Sequence, residues 1–152
     1  MATGGGLPPG DPYRRPDGAT DAEVEAAGKV SEALEVIEDA RGHLFAFHRL
    51  LGRADFTFEA AARLLASAGH PDLAELVATE VVGRNVLDGR WTFQLLDEFE
   101  RVYYRVAKAA EARVTGALMG GVPHVFEAEL KEARRSRDAT GAPLPGHEPR
   151  PD

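Results

Sequence analysis

KVSEALEVIEDARGHLFAFHRLL, residues 29–51, decides the architecture. From Ala27, the positions Val30, Leu34, Ile37, Arg41, Leu44, His48 and Leu51 recur at alternating spacings of three and four residues. That period places the whole set on one stripe of an α-helix, as expected of a helix that packs along its length. A second stripe, Val36, Ala40, His43 and Phe47, flanks the first, so the C-terminal half is apolar over a wide arc. Glu25, Glu32, Glu35 and Asp39 are left to water. Thr20 and Glu23 have capping-box spacing, which starts the helix at Thr20 and predicts it over 20–52.

Helical periodicity continues outward from this segment, and strand-like alternation is absent. A shorter helix is predicted over 57–68, with Gly69 as its stop signal, and Pro71 opens a third over 71–82. GRNVLDG, residues 83–89, reads as a connection containing an Asp-Gly turn. Thr92 is placed to cap a fourth helix, with Trp91 stapled onto Leu96. Its inward seam would be Leu96, Phe99, Tyr103, Val106, Ala110 and Ala117, ending near 118. Gly120 and Gly121 interrupt the pattern. Pro123 opens a fifth helix with Val125, Phe126, Leu130 and Ala133 on its apolar face.

The expected fold is therefore all-α: an antiparallel four- to five-helix bundle with two long helices, 20–52 and 92–118, and a short helical hairpin between them. Residues 1–19 and 138–152 are rich in Gly and Pro and poor in large apolar side chains, and so are expected to be disordered tails. A single helical-bundle domain over 20–137 remains.

The 152-residue chain has net charge −7 and no cysteine. Thiolate metal sites and disulfides are thereby excluded. Phosphate binding draws on clustered positive charge, and the one basic cluster, Arg134, Arg135 and Arg137, reads as the last turn of a helix; nucleic acid is not an expected partner. No apolar run reaches the roughly 20 residues of a membrane span, and no secretory signal core is present, so a cytoplasmic location without membrane association is expected. The Arg, Ala and Gly bias points to a GC-rich bacterial genome.

His43 and His48 invite a metal-site reading, but five residues separate them by about 140° around a helix. Histidine pairs that share a metal from one helix sit four apart. His48 reads instead as a core histidine bonded to a neighbouring carboxylate or carbonyl. It shares the inward stripe with Arg41, and two ionisable groups there need partners, because burying them unpaired costs several kcal/mol. In the expected topology Glu80, Arg84, Asn85, Arg90, Trp91, Gln94, Asp97 and Glu98 gather near that end of the core. Arg41, His48, Glu80, Arg84 and Gln94 are therefore the candidate ligand-binding set. His124 and Glu127 lie three apart on the last helix, but their order reverses the Glu-x-x-His of di-iron bundles and no second copy exists. His43, His48, His124 and Glu127 are thus weak metal candidates, and no cofactor is expected. No phosphate-binding glycine loop or nucleophile elbow is present. Long heptad-patterned helices without an assembled catalytic motif suggest a protein that works by protein–protein interaction or self-association, as a homodimer. The alternative is a ligand- or metal-binding bundle, possibly an enzyme, whose polar site surrounds Arg41 and His48.

Overall fold

A computed structural model describes residues 7–148; residues 1–6 and 149–152, parts of the two expected tails, lie outside it. The protein is all-α. Its elements are α1 (Asp21–Ser67), α2 (Pro71–Glu80), α3 (Thr92–Phe99), a π-helical turn (Glu100–Tyr104), α4 (Arg105–Met119) and α5 (Val125–Ala133). No strand forms among the described residues; two isolated bridges, Leu87–Arg90 and Arg137–Pro143, close turns. None of the described helices is long and apolar enough to cross a membrane. The chain divides into two compact units, one comprising Met1–Glu35 with Ala107–Asp152 and the other Val36–Val106.

The first unit holds a small, well-formed core. Val24, Ala27, Met119 and Val125 are buried together, with Val114, Leu118 and Phe126 packed around them. Gly28 lets α5 approach closely: a β-carbon there would lie 2.7 Å from Cβ and Cγ of Phe126. The capping box forms as the spacing predicts, with Thr20 N–H and hydroxyl donating to Glu23 at 2.7 and 2.8 Å and Glu23 N–H donating to Thr20 Oγ1 at 3.2 Å. These bonds hold the Glu23 carboxyl below its usual pKa, the Thr20 backbone N–H being the main cause. The described residues before α1 contain no helix, but Arg15 ties them to α5 through a bidentate pair with Glu129, both contacts 2.5 Å, and also reaches Asp21 at 2.8 Å. The bond to Glu129 is the principal reason that the Arg15 pKa is raised. The fifth helix starts at Val125, not Pro123, because His124 occupies the left-handed region (φ 57°) and its carbonyl accepts the first helical bond, from Ala128 N–H. The basic cluster lies just past that helix, where Arg135 and Arg137 both pair with Glu132.

In the second unit, the expected break in the first helix does not occur. Residues 52–57 stay helical and join the predicted 20–52 and 57–68 segments into the single 47-residue α1. Thr57 does not start a helix; its hydroxyl donates to the Arg53 carbonyl at 2.9 Å, one turn back. The helix stops where Gly69 was expected to stop it. Gly69 (φ 85°) and His70 donate back to Ala66 and Leu65 in a Schellman arrangement. The Asp-Gly turn at 88–89 also forms, Arg90 N–H donating to the Leu87 carbonyl at 3.1 Å.

The larger departure is the π turn. Its wider winding advances the inward register by one residue relative to a continuous α-helix. The buried aromatic is therefore Tyr104, while Tyr103 is 56 % exposed, and Val106 likewise faces solvent. The expected seam through Tyr103, Val106, Ala110 and Ala117 gives way to Tyr104, Ala107, Glu111 and Leu118, all buried or half-buried.

Candidate functional site

The Val36–Val106 unit buries very little. Among its side chains only Ala62, Ala74, Leu96 and Tyr104 are buried, whereas almost every exposed large apolar residue described lies here; Tyr13, Leu130 and Leu144 are the exceptions. On α1 the two stripes separate clearly. Ile37, Arg41, Leu44, His48 and Leu51 are half-buried, so the first stripe faces the rest of the unit. The second stripe faces water: Val36 is 64 % exposed, Phe47 40 % and Leu50 53 %, with Ala40 and His43 exposed between them. Monomeric proteins rarely leave a contiguous apolar surface of this kind uncovered.

Arg41 and His48 are both satisfied within the unit. The Arg41 guanidinium pairs with Glu100, lies 3.8 Å from Glu38, and sits over two rings, 5.1 Å from the Phe45 centroid and 4.8 Å from that of Tyr104. Tyr104 in turn donates its hydroxyl to Glu38. A hydrogen bond to Glu100 is the chief cause of the raised Arg41 pKa, so the cation is held charged. The π turn makes this arrangement possible, because it presents Glu100 and Tyr104 to α1 together. His48 Nδ1 is hydrogen-bonded to the Thr92 hydroxyl at 2.6 Å, so its partner is neither a carboxylate nor a carbonyl. Thr92 does not cap α3 but is its first residue, the cap position being held by Trp91. The α3 terminus is held instead by Gln94, whose side-chain oxygen accepts Trp91 N–H at 2.9 Å.

The structure brings the five residues of the candidate ligand set together only in part, His48 reaching the cleft's lining through Thr92. Glu80 and Arg84 pair with each other at 3.5 Å on the surface. They line an open cleft of about 420 Å³ together with Leu51, Asp55, Phe58, Arg90 and Trp91. Asp55 fixes one wall by accepting Gly83 N–H at 2.7 Å, and Trp91 stands 63 % exposed at the margin. Arg41, His48 and Gln94 are not among the cleft's lining residues. Asp97 and Glu98 line a shallow polar depression with Arg101 and Arg105, and Glu98 pairs with Arg90.

Of the metal candidates, His43 is exposed on α1 and His48 is engaged by Thr92, while His124 and Glu127 belong to the other unit. Among the described residues no three His, Asp or Glu side chains gather as metal ligands would. The groups that sequence reasoning missed are Glu38, Phe45, Glu100 and Tyr104. Glu38 was legible, standing three residues before Arg41 on the same helix. Glu100 and Tyr104 are brought inward only by the π turn, for which the sequence carries no plain signal. Comparison of the chain with protein-family models, curated proteins and solved structures finds no match in any of the three.

Proposed function

We propose that this chain is a small helical protein of the bacterial cytoplasm that acts by protein–protein association, and in the first place by self-association, through the Val36–Val106 unit. The observation that supports this reading is the exposed second stripe of α1 beside so small a buried set. Burial of apolar surface is the dominant favourable term in folding and in most association. A unit that leaves Val36, Phe47, Leu50, Phe56 and Leu64 in water gains from any partner that covers them. Light scattering on the full chain tests the reading: a particle of twice 16.4 kDa is expected, and a 16.4 kDa particle at every concentration refutes it.

The cleft supports a second reading, binding of a small molecule. Its volume is in the range of ligand pockets, and it combines aromatic walls with a few convergent polar groups. Trp91 is the chain's single tryptophan, so fluorescence excited selectively at tryptophan reports on this place alone. A metabolite screen followed by that signal and by melting temperature is the test. A melting shift without any fluorescence change would place the ligand elsewhere.

A further inference from the structure

The reading of self-association can be carried to a specific geometry, which rests on it. Because α1 is unbroken to Ser67, the second stripe does not end near Gly52. Its exposed part runs Val36, Ala40, His43, Phe47 and Leu50, and the same alternating spacing of four and three reaches Ala54, half-buried at the cleft, about 27 Å from Val36 at 1.5 Å per residue. This is the spacing that the seam of a two-helix coiled coil requires. In such coils the residues flanking the seam set partner choice and orientation.

One flank packs toward the rest of the unit, through Ile37, Leu44 and Leu51. The other holds Asp39, Ala46 and Arg53 at intervals of one heptad: an acid, a small residue and a base. Ala46 is half-buried, whereas Asp39 and Arg53 face water, and neither of these two side chains has an ion pair within the described chain. We infer that two copies of α1 pair antiparallel on this seam. Val36 then lies opposite Ala54, Ala40 opposite Leu50, and His43 opposite Phe47, so that small side chains meet large ones. On the flank, Asp39 of each copy meets Arg53 of the other, and the two Ala46 residues meet at the two-fold axis. A parallel pair would instead set Asp39 and Arg53 against Leu44 and Phe58, leaving both charges unmatched. The charge pattern therefore selects a second copy of this chain in one orientation. A single helix pair covers less than a stable interface needs, roughly 1,200 Å² in total, so the other exposed apolar side chains of the unit supply the remaining area.

The test uses the full chain with Asp39→Arg and Arg53→Asp. Each variant alone opposes like charges at both ends of the seam, whereas a one-to-one mixture restores both pairs in a heterodimer. Each homodimer should dissociate about tenfold more readily than wild type, and the mixture should recover wild-type affinity, as two exposed pairs permit. Because the chain lacks cysteine, single thiols report the orientation independently. Ala46→Cys should link through a short bismaleimide, and Val36→Cys, about 27 Å from its copy, should not. Linking at residue 36 identifies a parallel pair, in which Ala46 would lie against Leu51 of the other copy, and overturns the inference. Unchanged dimers of both charge variants, without linking at residue 46, place the interface elsewhere; self-association then stands and this geometry falls. A monomeric wild-type chain removes both.

Discussion

Replacing Gly28 with alanine separates packing from helix propensity by sign. In a helix interior Gly→Ala ordinarily stabilises by about 1 kcal/mol, because glycine has more conformational freedom to lose on folding. At Gly28 the added β-carbon would stand 2.7 Å from both Cβ and Cγ of Phe126 and 3.1 Å from Cδ1. Rotating the ring cannot relieve the contact with Phe126 Cβ, which is fixed to the α5 backbone. The helix must retreat instead, and with it Val125, which is buried against Val24 and Met119. Overpacking of this kind costs about 1–3 kcal/mol, so the net effect is a destabilisation of up to about 2 kcal/mol. Gly42, Gly52 and Gly116 are helical glycines whose added β-carbon meets open space, and alanine at these three should stabilise by up to about 1 kcal/mol. Urea unfolding followed by circular dichroism, at one fixed protein concentration, measures all four. If Gly28→Ala gains stability as the controls do, the close approach of α1 and α5 is wrong.

Other perturbations test the second unit and the helix start. Phe47→Ala removes a ring that is 40 % exposed in the single chain, about 80 Å² still available for burial and worth about 2 kcal/mol per copy. Self-association should weaken roughly a thousandfold for the two copies, by sedimentation equilibrium, while helix content is retained. Glu100→Ala removes the main partner of the Arg41 guanidinium and should lower the urea midpoint; Tyr104→Phe, which removes only the hydroxyl on Glu38, should lower it less. The reverse order would deny Glu100 its role. The depressed Glu23 pKa stabilises the fold above the ordinary carboxylate value of 4.5, and that contribution is lost as pH falls through the folded value. Thr20→Ala should move the Glu23 titration upward by carbon NMR, and an unmoved titration would show that the hydroxyl contributes nothing to the cap.

The parts of the fold legible in the sequence are those governed by local chemistry. The capping box at Thr20, the Gly69 stop and the Asp-Gly turn at 88–89 each form from residues within a few positions of one another. The two stripes of α1 were also legible, because a heptad period needs no knowledge of the partner. Which stripe would be covered by the chain itself was not, since that depends on how much surface the other helices bring. Gly52 shows the limit of propensity: its cost is about 1 kcal/mol, small enough for the surrounding helix to absorb. The π turn marks a second limit. One extra residue per turn is invisible in composition, yet it moves Glu100 and Tyr104 onto Arg41 and turns Tyr103 outward. The need of Arg41 for partners could be foreseen, but their identity could not. For the same reason the candidate ligand set is brought together only in part: Arg41 is engaged by Glu100 and His48 by Thr92, and Thr92 lines the cleft with Glu80 and Arg84.

Sedimentation equilibrium of the full wild-type chain over a wide concentration range tests the central claim most directly. The exposed stripe of α1 predicts a reversible dimer, with the fitted mass rising from 16.4 kDa to twice that value as concentration increases. A mass of 16.4 kDa throughout would contradict it and leave the apolar face of the Val36–Val106 unit without the partner proposed for it.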